Sequence, residues 1–505
     1  MIITVSVEIS KEQIQNFEEL SKAAFQLGMD FGKDVIRRTL EARDEEIRQE
    51  RDKKRYRCKG KRGTCIKTKM GEVEFERNIY EDRAASETTR HVYLLDQELD
   101  IDKVGFMDQD VCHAIAGMAC DSSYRSVARA FSEATGLHIS AQGAWNVVQE
   151  LGKKRQEQIE RHVELNKANQ GTGCVETKIL YEENDGIWLD LQGKDREEYG
   201  KSKEMKVGIA HDGAIWEGGK DGKSRRTLDC KVAHASFESA KDFHASKEGI
   251  IASRFKTDKI ELRVTNGDGA SWVRKSEGKN NISVLDPFHR NKKMRECVKD
   301  AEILKNLQKL LYDGKIPELL DSIEAYSNSV DGEEEKAGLL ELLGYYRENQ
   351  DALKGYYDRG IEIPETREPG VIHHARLGSM ESNVFTLIGN RMKDRRACWS
   401  IEGAQNLGNL LCLRHTTGFE DLFTMPPLPV ENKPDEEADA GVPLSASKVP
   451  ETVGKGNECY KRATVPNIPW LKAITSILPF SRLRLCYGAE RRKKKAPSPC
   501  AEKAK

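Results

Sequence analysis

Residues 178–192 read KILYEENDGIWLDLQ. Lys178–Glu183 and Ile187–Gln192 each carry the short apolar and aromatic runs of β-strands, with Asp185-Gly186 between them as a turn signal. Further strands are expected at Met205–His211, followed by the turn signal Asp212-Gly213, and at Leu228–Phe237. Downstream the pattern alternates. A helix is expected from about Ser239 to Phe255, then a strand over Lys259–Thr265 ending at Gly267-Asp268-Gly269. A short helix and the strand Ile282–Leu285 follow, closing on Asp286-Pro287-Phe288-His289-Arg290. Meandering strands followed by alternating helix and strand specify a mixed sheet within an α+β, multidomain chain.

Outward from that sheet, residues 291–370 are charged, helical and poor in β-branched runs, and read as an all-helical insertion within a domain spanning 175–425. Ile2–Ile9 alternates like a short strand, and Ser10 caps a charged helix over about Lys11–Arg51 with Phe17, Leu20, Ala24 and Leu27 on one face. Its heptads are too weak for a coiled coil, so residues 1–55 are expected to be a helical arm. Residues 56–100 form a basic β segment: Gly71–Tyr80 alternates as a strand and pairs in a hairpin with Thr64–Lys69. In 101–170, three helices are expected over 105–155, with Ser122 or Ser123 as an N-cap, Gly136 as a C′ stop and Ser140 capping the last. That last helix buries Ala144, Val148 and Leu151 and exposes Gln142 and Asn146, the layout of a helix-turn-helix. Residues 426–505 hold Pro427, Pro429, Pro434, Pro443 and Pro450 among small and acidic residues, so a linker and disordered tail are expected. Within it Ile468–Phe480 could form a short apolar helix, and 491–495 is the basic run RRKKK.

The chain of 505 residues is 38% hydrophobic and 33% charged, enough for roughly three globular domains. Its net charge of −1 does not mark a nucleic-acid binder, but the local distribution does. The run KKRYRCKGKRGTCIKTK, Lys53–Lys69, holds nine cations and no acid. Alone it would be a solvated loop, but Tyr56, Gly60 and Gly63 favour close approach to phosphates. Lys53, Lys54, Arg55, Arg57, Lys59, Lys61 and Arg62 are therefore candidate contacts to the DNA backbone, and Gln142 and Asn146 candidate readers of base edges. The twelve cysteines include no CxxC pair, which disfavours a zinc finger or ribbon. The N-terminus lacks the features of a signal peptide and no apolar stretch reaches membrane length, so a cytoplasmic, reduced protein is expected.

Three acids carry the chemistry: Asp185 in Asn184-Asp185-Gly186, Asp268 in Asn266–Ala270, and Glu381 opening a helix with Val384, Leu387, Ile388 and Met392 on its apolar side. Each alone has an ordinary role, as hairpin turn, turn after a strand, or helix N-terminal carboxylate. Together, on separate elements of an RNase H-like mixed sheet, they are what two Mg²⁺ or Mn²⁺ ions need for phosphodiester chemistry. Asp286 and His289 would lie beside Asp268 in a supporting role, and Arg391 and Lys393, on the helix of Glu381, could hold a phosphate.

These residues carry a resemblance. RYRCKGKRGTCIKTKMGEVEFERNIY (55–80), SYRSVARAF (123–131), NDGIWLDLQ (184–192), NGDGASWV (266–273), LDPFHRNK (285–292) and ESNVFTLIGNRMKDRRACWSIEGAQNLGNLL (381–411) occur in order over most of residues 50–415. The set resembles bacterial insertion-sequence transposases of the ISLre type, whose catalytic domain is similar to that of Mutator-like DDE transposases. The resemblance implies an RNase H-like nuclease and strand-transfer domain with Asp185, Asp268 and Glu381 as the triad. Glu402, in WSIEGAQ, is the alternative third acid. The segment after about residue 426 has no counterpart. The implied activity is metal-dependent cleavage and strand transfer of double-stranded DNA at element ends, by a homo-oligomer, a dimer in the synaptic complex, in the cytoplasm and associated with the bacterial nucleoid. The competing expectations are an inactive transposon-derived DNA-binding protein and a structure-specific RNase H-like nuclease.

Overall fold

Asp185-Gly186 is not a turn. In the computed structural model, Ile179–Asp190 is one continuous twelve-residue strand. Its antiparallel neighbour pairs with it without a break from Tyr181↔His211 to Asp190↔Ser202, so ladder hydrogen bonds on both sides of Gly186 override the local turn signal. The structure describes residues 10, 14–85, 90–99, 101, 107–218, 224–273, 280–420 and 422–430. The expected strand Ile2–Ile9, the helix Ile468–Phe480, the basic run 491–495 and nearly all of the expected tail lie outside them. One unit comprises Ser21–Glu431; the other comprises Met1–Leu20 and Asn432–Lys505. Of the latter only residues 10 and 14–20 are described, and Phe17 and Leu20, the first members of the expected apolar face, are exposed.

Helix α1 (Phe17–Glu50) leads into a hairpin of β1 (Tyr56–Thr68) and β2 (Gly71–Asp82). The pairing extends well beyond the expected Thr64–Lys69 segment and contains a bulge between Cys58 and Lys61. β3 (His91–Val92) completes the sheet, and α2 (Leu94–Leu99) follows. Ile47, Ile66, Val73, Phe75 and Leu95 form the core here.

Helices α3 (Gln109–Asp121), α4 (Tyr124–Thr135) and α5 (Ala141–Lys167) obey the expected local signals. The Ser123 hydroxyl accepts from Ser126 N and that of Ser140 from Gly143 N, while Gly136 ends α4 with φ 71°. They are not set apart from the rest of the unit. Ala144, Val148 and Leu151 share one hydrophobic core with Ile187, Leu189 and Val207 of the large sheet.

That sheet contains β4 (Ile179–Asp190), β5 (Ser202–His211), β8 (Val232–Ser236), β9 (Leu262–Gly267) and β10 (Asn281–Leu285), in the order β10-β9-β4-β5-β8. β4, β9 and β10 are mutually parallel, whereas β5 runs antiparallel to both β4 and β8. Helix α6 (Gly193–Tyr199) links β4 to β5, and α7 (Ala240–Arg254), capped by Ser239, follows β8. A small second sheet joins β6 (Ala214–Gly218), β7 (Ser224–Leu228) and β11 (Ile372–His373), so the expected strand Leu228–Phe237 is divided between β7 and β8.

The expected insertion contains α8 (Pro287–Cys297), α9 (Ala301–Tyr312), α10 (Ile316–Ser329) and α11 (Glu333–Glu348) around a separate leucine-rich core. The chain then enters α12 (Met380–Val384), a π-helical turn over Phe385–Gly389, α13 (Asn390–Met392) and α14 (Ile401–Arg414). Residue 430, in the stretch expected to begin the linker, is bonded to the chain just past the end of α5. Gln170 Nε2 donates to Val430 O at 2.7 Å, and Val430 N donates back to Gln170 Oε1 at 2.8 Å.

α5 and α14 meet backbone to side chain at Gly152. A Cβ there would stand 2.4 Å from Asn406 Cβ and 2.5 Å from its Cα. Gly to Ala in a helix interior ordinarily stabilises by about 1 kcal/mol. At this crossing the clash reverses the sign: Gly152→Ala should destabilise by about 1–3 kcal/mol, as overpacking does. Urea unfolding checks this, and a raised midpoint would mean that the two helices do not meet closely here.

Candidate active site

The parallel register brings the acids to one level. Glu183 pairs with Asn266, so Asp185 and Asp268 each stand two residues further along adjacent strand paths. Leu285 pairs with Gly267, which sets Asp286 level with Asp268. Asp268 lies just past β9, where Gly269 has φ +90° and a Cβ on it would meet Asn349 Oδ1 at 2.9 Å. Glycine is therefore required to turn the chain at the acid. The Asp268 carboxylate accepts from Ala270 N at 2.9 Å.

Glu381 arrives from the other side on α12, and His289 from the first turn of α8. Ligand atoms of Asp185, His289 and Glu381 all lie within 4.8 Å of one another. Asp268 stands outside that tight group, but its charge reaches both Asp185 and His289. Burial pushes the Asp185 carboxyl up to about 6, and the charges of Asp268 and Glu381 add to the rise against the Gly186 N–H and His289. His289 is shifted upward, first by the Asp286 carboxylate and against its own burial, with Asp185 and Asp268 contributing.

The polar stretch before Asp185 serves two faces by the two-residue period of a strand. Glu183 shares the face of Asp185. Its Oε2 accepts from Gly378 N at 2.9 Å, Ser379 N at 3.0 Å and Asn266 Nδ2 at 2.9 Å, and its Oε1 accepts from the Ser379 hydroxyl. Asn266 Nδ2 also donates to Asp286 Oδ2 at 2.8 Å, and Asp286 Oδ1 caps α8 by accepting from Phe288 N and His289 N. Burial opposes ionisation of Glu183, yet His211, Ser379 and Asn266 hold its carboxyl below the ordinary value. Glu182 and Asn184 face α7. Lys247 Nζ lies 2.8 Å from Glu182 Oε2 and 2.8 Å from Asn184 Oδ1, and Arg263 Nη1 lies 3.0 Å from Glu182 Oε1. Sequence reading missed Glu183 and Asn266. The available signal was their position, two residues before Asp185 and Asp268 and hence on the same strand faces.

The remaining candidates separate clearly. Glu402 lies on the first turn of α14 and pairs with Lys153 at 3.1 Å, outside the acid cluster. Arg391 is not a phosphate ligand in this arrangement. It is buried, donates Nε to Ala119 O at 2.8 Å and stacks its guanidinium on Tyr124 and Trp399. Helical spacing carries it away from Glu381 and into the contact with α3. Lys393 is exposed just past the end of α13.

In the hairpin, Lys53, Lys54, Arg55, Arg57, Lys59, Lys61 and Arg62 are all exposed. The neighbouring strand and α3 supply the acids that the run itself lacks. Arg55 pairs with Asp82 at 2.8 Å, Lys59 with Glu81 at 3.3 Å, Lys67 with Glu72 at 3.4 Å and Lys69 with Asp110 at 3.2 Å. Among the described residues Lys53, Lys54, Arg57, Lys61 and Arg62 form no ion pair. Gln142 and Asn146 are exposed on α5 and bonded to each other at 2.9 Å, with half-exposed Trp145 beside them. The nine cysteines Cys58, Cys65, Cys112, Cys120, Cys174, Cys230, Cys297, Cys398 and Cys412 are free, and no described helix is long and apolar enough to cross a membrane.

The chain is thus a mixed α/β protein in which Asp185, His289 and Glu381 gather beside the carboxyl ends of β9 and β10. The chain belongs to the family described as uncharacterised protein family UPF0236, which matches residues 10–420 and so encloses all three acids. A UPF0236 protein of Caldanaerobacter subterraneus subsp. tengcongensis is 23% identical over 428 residues, covering 81% of this chain and 82% of that protein. Another from the same organism is 24% identical over 376 residues, covering 73% and 74%. A UPF0236 protein of Streptococcus gallolyticus, named for the vanSb 3′ region, is 20% identical over 434 residues, covering 83% and 88%.

The Asp185 shift gives a signed prediction. Its folded pKa, about 6, exceeds the ordinary 3.8, so the ionised form destabilises the cation-free fold. This cost is absent below about pH 4 and complete above about pH 6 to 7. Asp185→Asn should therefore raise stability at pH 7.5 by about 1–2 kcal/mol, discounted for partial solvent access, and leave it unchanged near pH 4. Mn²⁺ should raise the melting temperature of the wild type and not of the variant. Equal stabilisation of both proteins by Mn²⁺ would remove Asp185 from the cation site.

Proposed function

We propose that this protein is a DDE-type transposase that cleaves and joins DNA strands at the ends of an insertion sequence. The observation carrying this reading is the convergence of Asp185, Glu381 and His289, with Asp268 level on the neighbouring strand. Three antiparallel strands continued by two parallel ones, with acids on the first and fourth in chain order of the sheet and on a later helix, are consistent with an RNase H-like domain. Ligands of open α/β sheets bind at the carboxyl ends of strands, where Asp268 and Asp286 stand. The Caldanaerobacter relative first described has a name that joins eleven loci, which fits a sequence that multiplies within a genome.

Asp185, Asp268 and Glu381 would hold the divalent ions, and His289, whose Nδ1 lies 3.5 Å from Asp286 Oδ1, fits a further ligand or proton-carrying role. The imidazole favours Mn²⁺ over Mg²⁺, because it adds a nitrogen to an oxygen set. Such ions, when bound, activate an attacking hydroxyl and stabilise charge on phosphorus. The chain's own contribution is positioning. Asp286 orients His289, Glu183 fixes the start of α12, and the π-helical turn after Glu381 reshapes the helix where it meets β4. Duplex DNA would be held by the free cations of the β1–β2 hairpin and read by Gln142 and Asn146 from a helix-turn-helix-like α4–α5 pair. The working form would be a homo-oligomer, a dimer in the complex that joins two ends, acting in the cytoplasm on the nucleoid.

Two experiments test this reading. Asp185→Asn, Asp268→Asn and Glu381→Gln should each abolish Mn²⁺-dependent cleavage and joining of element-end duplexes while end binding persists, and Glu402→Gln should stay active. Full cleavage by the Asp185 or Asp268 variant would defeat the mechanism, and cleavage of branched DNA without end preference would favour a structure-specific nuclease. In the hairpin, Lys53, Lys54, Arg57 and Arg62 replaced together by Ala should weaken binding to every duplex and flatten the plot of log affinity against log salt by up to about 3–4 units. An unchanged slope would mean that the hairpin does not touch DNA.

A further inference from the structure

We propose that a cleft on the far side of α12 from the acid cluster binds consecutive phosphates of a polynucleotide backbone. The polymer's identity as DNA rests on the functional reading above; the anion chemistry does not.

Ser379, Ser382, Asn383 and Thr386 line a cavity of about 790 Å³. At 100° per residue they form one side of the helix, and Glu381 projects from nearly the opposite side. Arg226, Lys231, Arg254 and His415 close the same cavity, and exposed Glu420 is the one carboxylate among its lining residues. Lys231, between β7 and β8, donates Nζ to Asn383 Oδ1 at 3.2 Å and has no carboxylate partner among the described residues. Burial lowers its pKa. Arg254 donates Nη2 to Cys230 Sγ at 3.6 Å, and its Nε is buried without a partner. The nearby acids Asp212 and Asp229 are already occupied, both by Arg367.

Half-buried cations without counter-charges destabilise a fold. Lys247, on the same helix as Arg254, and Arg263 show the alternative, because both are paired with carboxylates. An anion that arrives from outside accounts for the difference. The cleft also extends beyond one phosphate. Arg254, Thr416 and Thr417 line a second cavity of about 340 Å³ together with Arg155 and His162. Arg155 bonds only to Gln158 Oε1 among the described residues, at 3.2 Å, and burial pushes its pKa down to about 10. A row from Arg226 through Lys231 and Arg254 to Arg155 suits a polyanion better than a free phosphate ion.

The test uses the full chain in EDTA, so that cleavage cannot occur, with a labelled 30-base-pair duplex and with inorganic phosphate as separate probes. Lys231→Gln with Arg254→Gln should weaken duplex binding at least tenfold and reduce the salt slope by about one to two. The melting temperature of the free protein should be unchanged or higher, whereas a purely structural pair would lower it. Lys231→Arg alone should bind the duplex as the wild type does. Wild-type affinity and slope in the double variant would overturn the proposal, as would loss of phosphate binding with duplex binding intact. If the double variant melts lower, Arg226→Gln at the rim decides, with an unchanged slope again overturning it. Failure is distinguishable from failure of the transposase reading. A wild type that binds duplex through Lys231 yet never cleaves with Mn²⁺ loses only the latter; one that cleaves normally with the cleft neutralised loses only the former.

Discussion

The carboxylate of Glu183 holds the candidate site together. It sits on β4, takes two backbone N–H groups and a hydroxyl from the entry to α12, and shares the Asn266 amide with Asp286. Four elements are tied through this one group: the strand of Asp185, the strand that leads to Asp268, the helix of His289 and the helix of Glu381. Charge-assisted hydrogen bonds are stronger than neutral ones, and a carboxylate left buried without them would be costly. The network therefore fixes the relative positions of four side chains drawn from distant parts of the sequence. The leucine-rich insertion between β10 and α12 has its own core, so it can lengthen that connection without loosening the tie.

Local features were legible in the sequence because their causes are local. The caps Ser123 and Ser140, the stop at Gly136, the cap at Ser239 and the apolar side of the Glu381 helix all follow from a few consecutive residues. The misreadings needed distant residues. Asp185-Gly186 has turn chemistry, but strand pairing on β5 keeps it extended. The basic run lacks acids, yet β2 and α3 return four of them. Arg391 lies near Glu381 in sequence but belongs to the contact with α3. Of the site, the three acids, Asp286 and His289 could be named from sequence. Glu183 and Asn266 could not, because their role depends on a register that no single stretch encodes.

The two faces of β4 show how one strand carries both structure and chemistry. Glu182 is neutralised by fixed cations, Lys247 and Arg263, and Asn184 accepts a hydrogen bond from Lys247. On the other face, among the described residues, no Lys or Arg pairs with Asp185, Asp268 or Glu381. Burial and like charge raise the Asp185 pKa to about 6, and the surrounding carboxylates raise that of His289, so these groups take up protons as the pH falls. A proton is exchangeable where a lysine is not. A divalent cation that entered there would break no ion pair, whereas on the opposite face it would have to break ion pairs that the fold depends on. The alternation of a single strand thus separates charge that holds the sheet together from charge left available to a ligand.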